Sequence, residues 1–110
     1  MTFSMVDEGG VTVVDVDGEL IVGNRQELKD RVMERLEDGD RRFLIDFSRS
    51  SYIDSSGLGM LVSLSKRIRD RGATLRLAGL NGDLRTLFEL TRLDTLFEIA
   101  PTRADALEDL

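Results

Sequence analysis

The stretch Phe43-Leu44-Ile45-Asp46-Phe47 is apolar almost without a break, so it cannot keep one face wet, and such a run reads as a strand buried on both sides. Tyr52-Ile53 carries this character up to Asp54-Ser55-Ser56-Gly57-Leu58-Gly59, after which Leu58, Leu61, Val62, Leu64 and Ile68 recur at helical spacing. A buried strand therefore turns into a helix across this short motif. Its carboxylate and two hydroxyls stand where the first helical N–H groups lack partners and the peptide dipoles leave partial positive charge. Asp and Ser there cap the helix, and a phosphate suits the same place.

The rest of the chain alternates in the same way. Phe3 and Met5 alternate with polar neighbours, Asp7-Glu8-Gly9-Gly10 reads as a turn, and Val11 to Val16 resumes a strand that Gly18 ends, which makes an opening hairpin. Asn24 then caps a helix with Leu28, Val32, Met33 and Leu36 on one face and Gly39 as its stop. The central strand is expected over residues 42–47, with residues 48–52 as a loop or strand extension. The second helix follows from Ser56 to Arg71 and stops at Gly72. Leu75 to Ala78 reads as a strand, Asn81 to Thr91 as a helix, Leu96 to Ile99 as a short strand, and a last helix starts at Pro101-Thr102 and carries Leu107 and Leu110. The order is ββαβαβαβα. It predicts an α/β fold in which a mixed, mostly parallel sheet of about five strands carries packed helices, as one domain over residues 1–110.

Composition narrows the chemistry. With no Cys and no His, thiolate chemistry, Cys-ligated metal and the usual general base are all missing. A Ser nucleophile would need another base, and both lysines, Lys29 and Lys66, fall on helix surfaces. The 21 acidic residues show no calcium-loop spacing, so no metal, cofactor or enzymatic activity is expected. A net charge of −6 argues against nucleic acid, since Arg41-Arg42 and the Lys66 to Arg71 segment are local and interleaved with Asp. No apolar run approaches transmembrane length and no basic-then-apolar leader opens the chain, so the expected location is cytoplasmic, away from the membrane.

The element order together with Asp54-Ser55-Ser56-Gly57-Leu58-Gly59 resembles the STAS domain, and within it the bacterial anti-anti-sigma factors, also called anti-sigma factor antagonists. Supporting marks are Gly18-Glu19-Leu20, Tyr52-Ile53-Asp54, the Gly72 stop, and Arg85, Leu87 and Phe88 in the third helix. The resemblance implies a partner switch. Its unphosphorylated form would bind an anti-sigma factor that is also a serine kinase of the histidine-kinase-like ATPase fold, freeing a sigma factor for transcription. The kinase would phosphorylate the Ser after the motif Asp, here Ser55, and a PP2C-type phosphatase would reverse it. Asp54, Ser56 and Gly57 would support the phosphosite. Close members carry an Asp after the Gly-x-Leu segment, where this chain has Ile21.

Each motif residue also has a plain structural reading. Asp54 serves as a cap or orients Ser55. Gly57 and Gly59 let the first turn pack closely on the sheet, or let a kinase approach the backbone. Leu58, Gly59, Met60 and Ile21 are candidates for partner binding, with Met60 and Ser63 off the main apolar stripe and Met60 equally readable as core. Leu20-Ile21-Val22 is strand or docking surface. The alternative function is a non-switching STAS accessory subunit of a transport complex, which needs no phosphorylatable Ser. A nucleotide or small-ligand sensor comes last, because Gly57-Leu58-Gly59 lacks the further glycine and the Lys of a phosphate-cradling loop.

Overall fold

The computed structural model describes residues 3–108 and residue 110. Strands β1 (Phe3–Glu8) and β2 (Val11–Leu20) form the antiparallel hairpin, and β3 (Arg42–Ile53), β4 (Thr74–Ala78) and β5 (Glu98–Ala100) add to it in parallel. The described residues thus build a five-stranded sheet of order β1-β2-β3-β4-β5. Helices α1 (Arg25–Glu37), α2 (Ser55–Asp70) and α3 (Gly82–Leu90) join successive parallel strands, and α4 (Arg103–Glu108) follows β5. This is the expected order, with a 3-10 turn at Leu93–Thr95 inserted before β5. That turn absorbs the approach to the last strand, which starts at Glu98 rather than Leu96.

Successive residues of a strand point to opposite faces, and the sheet uses both. Val14, Val16, Phe43, Ile45, Phe47 and Leu77 meet Leu28, Val32 and Leu36 of α1, Leu61, Leu64 and Ile68 of α2, and Leu84 and Phe88 of α3 in one apolar cluster. Val11, Val13, Leu44 and Ala78 point the other way and pack on Ala106 of α4, with Leu107 and Leu110 at the margin. The continuous run Phe43 to Phe47 is therefore buried on both faces. Each fully buried Phe or Leu in it is worth about 1.5–3 kcal/mol over its exposed state.

One strand is longer than the sequence pattern indicates, and the segment after Phe47 takes the strand-extension alternative. β2 passes through Gly18, which takes φ +96, a region that other residues avoid, and ends only at Leu20. β3 continues through Ser48 to Tyr52 as strand, with register shifts against β2 between Asp15 and Asp17 and between Gly18 and Glu19. At each shift β3 spends one residue more than β2, as a β-bulge does. The buried Ser50 hydroxyl donates to the Gly18 carbonyl at 2.8 Å, which satisfies a polar group where the ladder is irregular.

The short α4 is held by charge as well as by Ala106. Arg103 donates from Nε to Asp46 at 2.9 Å, from Nη1 to Glu8 at 3.1 Å, and from Nη2 to Asp15. Burial opposes its charge, but the bonds to Asp15 and Asp46 outweigh this and raise its pKa above the ordinary value. Asp46 is only 5% exposed, so removing the cation would strand a buried carboxylate. Arg103→Met is expected to lower unfolding stability by about 2–4 kcal/mol, less than a fully buried pair because Glu8 and Asp15 are partly solvated. Urea denaturation measures this, and an unchanged midpoint would contradict it.

Candidate functional site

The bulged end of β3 brings Ile53 level with Leu20, and the next residue leaves the sheet. The Asp54 N–H still donates to the Leu20 carbonyl at 3.1 Å, which ties the start of α2 to the end of β2. Asp54 is extended (φ −86, ψ 176) and caps α2. Its Oδ1 accepts from the Gly57 N–H and the Ser56 hydroxyl, both at 2.7 Å, while Oδ2 accepts from the Val22 N–H at 3.0 Å. The Ser56 hydroxyl, followed by the Gly57 N–H, holds the Asp54 carboxyl below its ordinary value of 3.8, against desolvation and with help from Val22. Asp54 is thus an anion at any physiological pH.

This geometry separates the two hydroxyls. Ser56 is half-buried and spends its proton on Asp54, whereas Ser55 is exposed and its hydroxyl has no hydrogen-bond partner among the described residues. Asp54 therefore does not orient Ser55 directly. It fixes the turn that presents it. The helix begins at Ser55, one residue earlier than the periodicity indicates, because the cap is Asp54 itself.

The two glycines also differ. A Cβ on Gly57 would lie 2.8 Å from the Leu20 carbonyl oxygen and 3.0 Å from Ile53 Cγ2, so close packing on the sheet requires glycine there. A Cβ on Gly59 would meet nothing within 4 Å, and Gly59 is exposed. The close-packing reading holds for the first glycine and fails for the second.

Among the candidate contact residues, Leu58 and Met60 are corrected. They are 9% and 3% exposed and belong to the core. Met60 stands three residues after Gly57 and four before Leu64, inside a buried stripe broader than the main leucine row. Ile21 is half-buried beside the site, and Gly59 stays on the surface. Asn24 is a further correction, since its side chain does not cap α1. Its Oδ1 accepts from the Ile21 N–H at 2.9 Å and its Nδ2 donates to the Glu19 carbonyl at 2.7 Å, closing the β2–α1 loop on itself. Val22, in that loop and tied to Asp54, is an apolar residue 66% exposed. The sequence marks Val22 only as the end of an apolar run before Gly23-Asn24.

Two measurements test this local account. Gly57→Ala is expected to lower stability by about 1–3 kcal/mol through overpacking, and Gly59→Ala to raise it by about 0.5–1 kcal/mol as an exposed helical glycine. Equal effects from both would contradict the difference in packing. Because the folded pKa of Asp54 is depressed, its contribution is present above 3.8 and is lost as pH falls through the lower folded value. Acid titration of Asp54→Asn should show a shallower loss of stability across that window than the parent chain.

A family model described as STAS domain matches residues 2–106. The anti-sigma-B factor antagonist of Staphylococcus aureus is 33% identical over 86 residues, which span 78% of this chain and 80% of that protein. A crystal structure of an anti-sigma factor antagonist from Mycobacterium paratuberculosis superposes with a TM-score of 0.88 at 27% identity, covering 98% of this chain and 92% of that one. The Bacillus cell fate determinant SpoIIAA in its phosphorylated form shares the fold, with a TM-score of 0.75 at 19% identity over 97% of each chain. Matched along nearly its whole length and carrying the same sheet and helix arrangement, this chain belongs to the STAS domain family.

Proposed function

We propose that this chain is an anti-sigma factor antagonist that works as a phosphorylation-controlled partner switch, with Ser55 as the phosphoacceptor. Unphosphorylated, it binds an anti-sigma factor that is also a serine kinase of the histidine-kinase-like ATPase fold, and so frees a sigma factor. A PP2C-type serine phosphatase restores the binding form. In this reading the chain is a cytoplasmic ligand and substrate of other proteins, without catalysis or nucleic-acid contact of its own.

The observation that carries the reading is the inequality of the two hydroxyls. Ser55 is exposed and has no hydrogen-bond partner among the described residues, while Ser56 is engaged by Asp54. A kinase needs the first kind. A constitutive subunit of a transport complex would have no use for a free hydroxyl at this place. Relatives named anti-sigma factor antagonists, and a fold neighbour solved in a phosphorylated form, support the same choice.

Charge is enough to run the switch. A phosphate on Ser55 adds about −1.5 to −2 charges beside the Asp54 anion. Against a docked partner this charge would be desolvated without compensation, at several kcal/mol. A hundredfold loss of affinity needs only about 2.7 kcal/mol. The contact surface then comprises Ser55, Gly59, Ile21 and the exposed Val22, and excludes the buried Leu58 and Met60.

Incubation with the cognate anti-sigma factor kinase and ATP, followed by mass spectrometry, should map a single phosphate to Ser55. Ser55→Ala should bind that kinase as the unmodified chain does, and Ser55→Asp at least about tenfold more weakly, a difference of about 1.4 kcal/mol. Phosphate on Ser56, or equal affinities for the two variants, would overturn the proposal. A chain that no kinase modifies and that copurifies with a transporter would be an accessory subunit instead.

A further inference from the structure

The two edges of the sheet are built differently. β5, at one end of the strand order, is 3 residues long and runs into Pro101, which has no N–H to donate. Shortness and proline are common means of keeping an edge from pairing. β1, at the other end, is 6 residues long and contains neither proline nor lysine. It pairs with β2 residue for residue, without a register shift, from Phe3↔Val16 to Glu8↔Val11. Its charges, Asp7 and Glu8, stand at the turn end, and Glu8 is engaged by Arg103.

The turn fixes which backbone groups of β1 face outward. Gly9 and Gly10 both take positive φ, 61 and 83, which makes a type I′ turn whose closing hydrogen bond joins Glu8 and Val11. Bonded and open residues alternate along an antiparallel strand. Glu8, Val6 and Ser4 therefore bond to β2, while Asp7, Met5 and Phe3 turn their N–H and C=O groups to the free edge. The contact made by Arg31 agrees with this phase, since its Nη1 reaches the outward Phe3 carbonyl from α1 at 3.0 Å. No described residue reaches the outward groups of Met5 and Asp7.

We propose that β1 pairs with β1 of a second copy of this chain, antiparallel about a two-fold axis through Met5, so that the two sheets become one. In this register Met5 meets Met5 of the other copy, Val6 meets Ser4, and Asp7 meets Phe3. Directly opposite residues share a face of the sheet, so each Asp7 carboxylate lies on the α1 side, beside the Phe3 carbonyl that Arg31 holds. The Arg31 side chain is 38% exposed, and the one carboxylate it reaches among the described residues, Glu27, stands at 3.7 Å. The incoming Asp7 gives it a closer partner. Centring the register on Asp7 instead would set two carboxylates opposite each other, which is destabilising. The contact belongs to the small class of interfaces, below about 1,200 Å², so the dimer forms and dissociates with concentration. None of these residues belongs to the site around Ser55.

Amide hydrogen exchange followed by NMR tests the pairing on the unmodified chain at about 50 µM and about 1 mM, with sedimentation equilibrium over the same range. The Val6 and Glu8 amides, bonded to β2, are expected to be protected at both concentrations. Met5 and Asp7 should gain protection only at the higher one, where the mass approaches that of a dimer. Arg31→Glu should weaken association at least about tenfold, and adding Asp7→Lys to it should restore the parent's affinity to within about threefold. Arg67→Glu, the same change of charge at an exposed position of α2, should leave association unchanged. A monomer at every concentration, unaltered exchange of Met5 and Asp7, or an equal loss from Arg67→Glu overturns the proposal. So does a double variant as weak as Arg31→Glu whose Val6 and Glu8 amides stay protected. Protection of Met5 and Asp7 that requires another protein overturns self-pairing and assigns the edge to that protein.

Discussion

The carboxylate of Asp54 is the constraint on which the site depends. It accepts from Ser56 and Gly57 within its own turn and from Val22, which is 32 residues away in the chain. One side chain therefore fixes the start of α2 and the loop that leads into α1. An ordinary cap satisfies N–H groups of its own helix. By reaching Val22 as well, this one fixes the position of the β2–α1 loop relative to Ser55. The exposed apolar side chain of Val22 and the exposed hydroxyl of Ser55 are thereby held in a common frame.

That frame is possible only because β2 and β3 end together. Without the two added residues of β3, Ile53 would not come level with Leu20, and the Asp54 N–H would not find the Leu20 carbonyl. Gly57 completes the fit, since any side chain would strike that same carbonyl oxygen. Ser50 compensates the irregular pairing from inside by bonding Gly18. The irregularities of the sheet are concentrated at the end that carries the site, where bulges re-aim a chain leaving the sheet.

Much of this architecture is legible in the sequence. Helical spacing gives α1, α2 and α3, the apolar run gives a strand buried on both sides, and Asp54 is readable as a cap because an acceptor precedes a helix. What is not legible depends on contacts distant in the chain. Residues 48–52 read equally as loop or strand extension because the bulged segment breaks the alternation that marks a strand, and pairing with β2 keeps them extended. Asn24 has the residue type of a cap, but its acceptor is taken by Ile21. Met60 reads as off the stripe because a row of leucines defines the stripe too narrowly. The difference between Ser55 and Ser56 follows from which hydroxyl the Asp54 carboxylate can reach, and adjacent identical residues carry no trace of it.

Arg103 shows how one cation ties a short helix to the sheet. Arg103 meets three carboxylates, one on each of the neighbouring strands β1, β2 and β3, and its charge locks α4 onto that face. Its partners are present at all times, so its role is structural.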